Sequence, residues 1–180
     1  EPLLLAWTGD AALASQTAPI LRLYALGNGI LALAAFPYYL QFAKGDVRLH
    51  LVGNVLFVLF LIPSIIVAAM YHGAVGAGWT WFSANLIYFL LWTWHVHRRF
   101  APYLHRPWLF QDILPTAAIA TATTAALSTL IPWHTNRLII IGELVALSFA
   151  VFLFSCASSS NIRHYFRHRL AAHAAASKSP

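Results

Sequence analysis

The chain has 180 residues, of which 60% are hydrophobic and only 9% are charged, and its formal net charge is +6. Soluble domains contain roughly 25% charged residues, so this chain has too few charges to cover a water-facing surface. The composition excludes an ordinary soluble domain and indicates that much of the surface faces lipid. The basic residues lie in short clusters between apolar runs, a pattern that favours loops near anionic lipid over a nucleic-acid partner.

Five apolar segments are long enough to cross a bilayer, which takes about 20 residues in a helix. They are residues 20–42, 50–71, 79–97, 113–131 and 138–157. Residues 1–19 are predicted to be the end of a truncated helix and an external loop. Residues 158–180 are predicted to be a basic cytoplasmic tail, with a short surface helix over 162–173. The sequence therefore predicts an all-α fold, a polytopic transmembrane bundle of about five spans.

The orientation follows from the positions of lysine and arginine. Alternating spans place nine of the eleven on one side, and the positive-inside rule makes that side cytoplasmic. The N-terminus is then outside and the C-terminus inside. The nine residues are Lys44, Arg48, Arg98, Arg99, Arg106, Arg163, Arg167, Arg169 and Lys178.

Charged residues inside spans are informative because each costs about 2.5–3.5 kcal/mol at a span centre. Arg22 and Glu143 both lie within about two helical turns of the outer ends of their spans. Equal depth would let them pair and line a watery cavity. The alternatives are that Arg22 extends to the outer headgroups and that Glu143 lies at the lipid edge.

The third span has a one-sided stripe of aromatic and polar residues at spacings of 4, 3, 4 and 3. These spacings place them in one narrow sector of a helix. Aromatic faces pack on sugar C–H groups and an asparagine can bind hydroxyls, so the stripe suits a carbohydrate. Helix–helix packing with Asn85 as a polar contact is the alternative. The stripe comprises Trp81, Asn85, Tyr88, Trp92 and His95.

The first span contains Gly27-Asn28-Gly29 and then Pro37. Asn28 needs a polar partner in hydrocarbon, and Pro37 removes a backbone hydrogen bond. These residues predict either a broken or bent helix, as transporters use, or close packing of small residues.

Neither a metal site nor an enzyme site is predicted. Two-histidine haem ligation needs imidazoles deep inside facing helices, whereas histidines such as His50, His72 and His134 lie at span ends or in loops. No Ser–His–Asp set, phosphate-binding glycine loop or paired carboxylates stand out. We therefore predict no catalytic residue, no metal and no cofactor.

An ordered series of short motifs over roughly residues 5–132 resembles the C-terminal half of polysaccharide flippases of the multidrug/oligosaccharidyl-lipid/polysaccharide exporter superfamily. Asn54 and Pro63 of the second span belong to the series. The other motifs are AWTGD (6–10), LGN (26–28), PYYLQFAKG (37–45), YHGAVGA (71–77), NLIY (85–88), HRR (97–99) and QDI (111–113).

The resemblance implies a two-lobed helical transporter of the bacterial inner membrane that works by alternating access. Its substrate would be a lipid-linked oligosaccharide used for O-antigen or other cell-surface polysaccharide, and membrane lipids would surround it. The five spans would be most of one lobe, and the partner N-terminal lobe would be missing. Arg22 would suit an anionic headgroup. The substrate or cavity candidates are Arg22, Asn28, Asn85, Tyr88, Trp92 and Glu143.

Three other functions are compatible with the sequence. A cation-coupled drug or ion antiporter of the same superfamily would use Glu143 as the titrating carboxylate. A membrane glycan enzyme would use the basic loop 97–111, where Asp112 is the one nearby carboxylate. A scaffold subunit would need no site at all.

Overall fold

A computed structural model describes residues 1–134 and 136–158, and every regular element within them is helical. The predicted all-α fold is confirmed for this part of the chain, whereas the predicted tail beyond Ser158 lies outside the described residues. The elements are α1 (Pro2–Thr8), α2 (Ala11–Leu33), α3 (Ala35–Ala43), α4 (Arg48–Phe100), α5 (His105–Pro107), a π-helical turn (Trp108–Ile113), α6 (Leu114–Leu130) and α7 (Arg137–Ser158).

Within the described residues, four helical stretches are long and apolar enough to cross a membrane, which supports the prediction of a membrane protein. They are Ala11–Ala43, Arg48–Phe100, His105–Leu130 and Arg137–Ser158. The second has 53 residues. At about 1.5 Å per residue it would measure about 80 Å if straight, far more than the roughly 30 Å of bilayer hydrocarbon.

Helix α4 is in fact a hairpin that reverses at Gly73, whose backbone is non-helical with φ 61° and ψ −152°. We call residues 48–72 the first limb and residues 74–100 the second limb. Gly53 lies against the Trp92 indole, the Phe57 and Tyr88 rings are 5.0 Å apart, and Gly76 lies against the Ala68 carbonyl. In these contacts the residue number increases along the first limb while it decreases along the second, so the limbs are antiparallel.

The hairpin divides the described chain into five apolar segments of bilayer length, at the positions of the five predicted spans. How many of them cross a membrane, and in which direction, stays a prediction.

The N-terminal region differs from the prediction, because residues 11–19 are helical rather than part of a loop. α1 ends at Gly9, which has φ 72°, and Asp10 then caps α2 by accepting a hydrogen bond from the Leu13 amide at 3.0 Å. Residues 11–19 are rich in alanine, which has strong helix propensity. Because the stretch also contains polar residues, the length of the apolar run does not reveal this part of the helix.

The bend predicted near Pro37 is present, because the chain is interrupted at Ala34 between α2 and α3. A proline ring clashes with the carbonyl four residues earlier, which here belongs to Leu33. Helix α2 runs without interruption through Gly27 and Gly29, so the glycines do not break it.

Residues 3–105 form one compact unit, in which α2 and α3 pack on the second limb. Leu23 contacts Gly78, the Tyr24 and Trp81 rings are 6.1 Å apart, and the Phe36 and His97 rings are 5.9 Å apart. In these contacts the residue numbers increase together along both segments, so α2–α3 and the second limb run parallel.

One end of this unit collects basic residues from the turn before α4 and from the two ends of α4. The antiparallel hairpin brings Arg98 and Arg99 back beside the turn that contains Lys44 and Arg48, and Asp46 pairs with Arg99 at 3.5 Å. The grouping brings together four of the basic residues that the sequence predicts to be cytoplasmic.

The second unit includes the described residues 106–158, where α6 packs against α7. The connection between these helices is held by Trp133, whose indole N–H donates to the Ser128 carbonyl at 3.2 Å. Helix α6 buries none of its residues, and α7 buries Ile140 alone.

Candidate functional site

An apolar groove of about 540 Å³ runs between the two limbs of the hairpin. Large aromatic and aliphatic side chains line most of it, with hydroxyl groups from a few small polar residues. The lining residues are Gly53, Leu56, Phe57, Phe60, Leu61, Ser64, Trp79, Thr80, Ser83, Ala84, Ile87, Tyr88, Leu91 and Trp92.

A polar pocket of about 230 Å³ lies where α3 meets the hairpin. It combines aromatic rings with amide, imidazole and hydroxyl groups. Its lining residues are Leu31, Ala34, Ala35, Pro37, Tyr38, Gln41, His50, Asn54, Tyr88, Trp92 and Thr93.

Tyr88 and Trp92 line both the apolar groove and the polar pocket. Their rings stack with centroids 5.9 Å apart and planes 15° from parallel, and Phe57 meets Tyr88 edge-on. A side chain at Gly53 would overlap the Trp92 indole, so the glycine is what lets this ring lie between the limbs. The two cavities therefore share an aromatic wall.

Two residues that line the polar pocket each carry a buried polar atom that has no hydrogen-bond partner among the described residues. Gln41 is 1% exposed; its Nε2 donates to the Pro37 carbonyl at 3.1 Å, whereas its Oε1 has no hydrogen-bond partner among the described residues. The buried Trp92 Nε1 also has no hydrogen-bond partner among the described residues. Neither atom has accessible surface, so neither opens onto the cavities, and each is an unsatisfied polar group that costs free energy.

The first limb supplies a fixed polar edge to the polar pocket. The Asn54 amide and the His50 ring are joined by a hydrogen bond of 3.0 Å, and the His50 ring lies 4.5 Å from that of Tyr38. The imidazole therefore has a hydrogen-bonding contact and an aromatic contact at the pocket edge.

The predicted aromatic stripe divides between two roles. Tyr88 and Trp92 line the cavities, whereas Trp81 packs on Gly27 of α2 and His95 is exposed. Asn85 is buried and donates to the Trp81 carbonyl at 2.8 Å, and it lines neither of the two cavities. Packing and cavity lining thus occur side by side on one helix face.

Arg22 and Asn28 are exposed on α2 and line neither cavity. Arg22 makes no ion pair with any residue of the described ranges 1–134 and 136–158. The structure therefore does not bring these two candidates together with Tyr88 and Trp92, and their roles stay predictions.

Glu143 belongs to the second unit, where its Oε1 lies 2.5 Å from Nδ1 of His134. The other carboxylate oxygen, Oε2, is buried and has no hydrogen-bond partner among the described residues. The partner found for this carboxylate is a histidine of the preceding loop, nine positions away, and a pairing with Arg22 stays a prediction.

Sequence reasoning missed Tyr38, Gln41, His50 and Asn54 as members of one site. A signal was present, because Gln41 and Asn54 are polar residues inside apolar runs. No local spacing connects them, since a helix break and a turn bring them together.

Potential metal ligands are sparse in the described residues. His97 and His105 lie close together, with their Nδ1 atoms 3.0 Å apart, but no group of three or more His, Cys, Asp or Glu side chains is placed to hold a metal ion among the described residues.

Comparisons with known proteins give no relative: the chain matches no protein-family model, no curated protein and no solved structure.

Proposed function

We propose that the chain is part of a membrane transporter that carries a lipid-linked oligosaccharide across the bilayer by alternating access. The observation that supports this most directly is the shared wall of Tyr88 and Trp92, with an apolar groove on one side and a polar pocket on the other. A ligand that fills both cavities must be amphipathic, with an apolar part and a hydrogen-bonding part. A lipid-linked sugar has that form.

The aromatic content of the wall also favours a sugar. Stacked Tyr88 and Trp92 present ring faces, on which sugar C–H groups pack, and the polar pocket adds amide and imidazole groups beside them. Few polar groups precisely placed in a mainly apolar cavity are what orient small ligands in proteins.

In this proposal the end with Lys44, Arg48, Arg98 and Arg99 is cytoplasmic, and the protein resides in the bacterial inner membrane. Arg22 is then at the outer side, exposed and available to an anionic headgroup in a cavity completed by a second lobe. The five apolar segments would be most of one lobe.

A cation-coupled antiporter is a second candidate, favoured by the Glu143–His134 pair. A carboxylate within an apolar helix, with one oxygen buried and the other paired with a histidine, is the kind of group that marks ion pathways in transporters. A glycan enzyme or a scaffold subunit has no such specific support.

The proposal is tested by binding to the purified chain in lipid nanodiscs. Native mass spectrometry would compare undecaprenyl-pyrophosphate-N-acetylglucosamine with phosphatidylglycerol as competing ligands. We expect retention of the sugar-linked lipid, and we expect Trp92→Ala to weaken it by about tenfold, as loss of a buried aromatic contact does.

The matched control is Trp94→Ala, because Trp94 is on the same limb but exposed and lines neither cavity. This variant should bind like the parent. Retention no better than that of phosphatidylglycerol would contradict the proposed function. If Trp94→Ala weakened binding as much as Trp92→Ala, the shared wall of Tyr88 and Trp92 would be excluded as the binding site.

A further inference from the structure

The end of the first unit that collects basic residues carries more positive charge than Asp46 neutralises. The Asp46 Oδ1 atom accepts a hydrogen bond from the Arg48 backbone N–H at 3.1 Å, and its Oδ2 atom pairs with Arg99 at 3.5 Å. The side chains of Lys44, Arg48 and Arg98 are exposed and make no ion pair with any described residue. These three cations therefore remain uncompensated at one end of the fold.

An exposed apolar helix face begins at Arg48 and continues along the first limb. Leu51, Val52, Val55 and Leu59 follow Arg48 at intervals of 3, 4, 7 and 11 positions, so all five side chains share one face of the helix. The four apolar side chains are between 49% and 66% exposed, and none of them lines the apolar groove or the polar pocket. This exposed face of the first limb is therefore separate from both cavities.

The exposed face of the first limb is about as long as one membrane leaflet is thick. From Arg48 to Leu59 the helix rises about 16 Å, at about 1.5 Å per residue. The hydrocarbon of a bilayer is about 30 Å thick, and one leaflet contributes about half of that. A cation at one end and a leaflet's length of apolar surface beyond it match the shape of a phospholipid, which has a charged headgroup and acyl chains of that length.

Other ligands would fit only part of this surface. A free phosphate or a nucleic acid would pair with the cations and leave the apolar face without a partner. A zwitterionic phospholipid would cover the apolar face but would bring no net negative charge to the cations. An anionic phospholipid is the ligand among these that complements both parts.

We propose that the exposed face of the first limb, together with the cations at its end, is a binding site for an anionic phospholipid. The headgroup phosphate contacts Arg48, Lys44 and Arg98 supply further positive charge, and an acyl chain lies along residues 51–59. This site includes no lining residue of either cavity, so it goes beyond the proposed function and does not depend on what the chain transports.

The test measures which phospholipid the purified chain retains from nanodiscs of equimolar phosphatidylglycerol and phosphatidylcholine with identical acyl chains. Native mass spectrometry would count the retained lipids, and we expect phosphatidylglycerol to be preferred. Arg48→Gln should reduce that preference about fivefold, which corresponds to about 1 kcal/mol for one basic residue near an anionic lipid surface. Equal retention of the two lipids by the parent chain would overturn the proposal.

Two further substitutions separate a site at Arg48 from a general effect of charge. Arg48→Lys keeps the charge in place and should keep most of the preference. Arg137→Gln removes the same charge from an exposed residue of the second unit and should leave the preference unchanged. If Arg137→Gln reduced the preference as much as Arg48→Gln, net charge rather than this site would select the lipid, and the proposal would be wrong.

Inorganic phosphate tests the apolar half of the site. Added in excess, it should not displace phosphatidylglycerol, because it cannot contact the apolar face; displacement would show that phosphate alone is recognised and would overturn the lipid site. Lys44→Gln is a second variant in case Arg48→Gln disturbs the start of α4, and it should lower the preference in the same direction. A preference that survives both substitutions would contradict the proposal, and the transport function would still stand.

Discussion

The two limbs of the α4 hairpin are both apolar helices, yet they differ sharply in burial. The first limb buries two residues, Gly53 and Leu61. The second limb lies between α2–α3 and the first limb, and it buries eight residues. These are Gly76, Ala77, Gly78, Asn85, Phe89, Thr93, Val96 and His97.

The difference shows that hydrophobicity does not tell which limb is central. Lipid is as apolar as leucine, so a leucine gains little by leaving lipid for a helix interface. Small residues that allow close approach and polar residues that need protein partners identify the central helix instead. The second limb has both kinds, in Gly76-Ala77-Gly78 and in Asn85, Thr93 and His97.

The sharpest test exchanges the same residue type in each limb. Phe89 in the second limb is 7% exposed, and Phe60 in the first is 73% exposed. Phe89→Ala should lower the free energy of unfolding by about 1–3 kcal/mol, because it leaves a cavity in the packing even though no transfer from water is involved. Phe60→Ala should change it by less than about 0.5 kcal/mol, because only an exposed contact is lost. Thermal unfolding in nanodiscs would measure both, and equal losses would break the distinction between the limbs.

The reversal between the limbs depends on Gly73. Its backbone lies in a region that is almost closed to residues with a Cβ, so Gly73→Ala should destabilise the hairpin by about 1–3 kcal/mol. A bismaleimide cross-link between cysteines at positions 57 and 88, whose native rings are 5.0 Å apart, would report hairpin closure, and its yield should fall. Gly142→Ala, at a glycine with helical backbone and open space, is the control. Undiminished cross-linking in the Gly73 variant would show that the reversal tolerates a side chain.

Two glycines of α2 test its packing on the second limb. A Cβ at Gly27 would come within 2.5 Å of Trp81, whereas a Cβ at Gly29 would meet nothing within 4 Å. Gly27→Ala should therefore cost about 1–2 kcal/mol of unfolding free energy through overpacking, and Gly29→Ala should be neutral or slightly stabilising. Denaturation of both variants side by side gives the comparison, and identical values would mean that α2 is not held at this contact.

The smallest effect is expected at the ion pair that connects the two ends of the hairpin. The Asp46 carboxylate and the Arg99 guanidinium are 3.5 Å apart, and both side chains are partly exposed. Asp46→Asn should cost at most about 1 kcal/mol. That loss should disappear in 1 M salt, where screening acts over about 3 Å. A larger or salt-independent loss would indicate that Asp46 has a structural role beyond this pair.

The sequence predicted the limbs better than the start of α2. Residues 50–71 and 79–97 are long apolar runs separated by a glycine-rich stretch, and the hairpin has its limbs there. The start of α2 was misplaced because capping by Asp10 and helix propensity, rather than apolarity, set it.

The candidate site was predicted only where one helix supplies it. Tyr88 and Trp92 share a face of the second limb, and their spacing alone pairs them. Gln41, His50 and Asn54 come from two elements separated by a turn, and helical periodicity carries no information about such meetings. The break at Ala34 and the turn at Gly45 determine that these residues come together.

The tight reversal at Gly73 also bears on how the protein is made. In the proposed orientation the tip of the hairpin is the part that must pass through the bilayer during synthesis. That tip, HGAVGAG over residues 72–78, contains no aspartate, glutamate, lysine or arginine. Because transferring it removes no permanent charge from water, the two limbs can enter the membrane together as one folded pair during biogenesis.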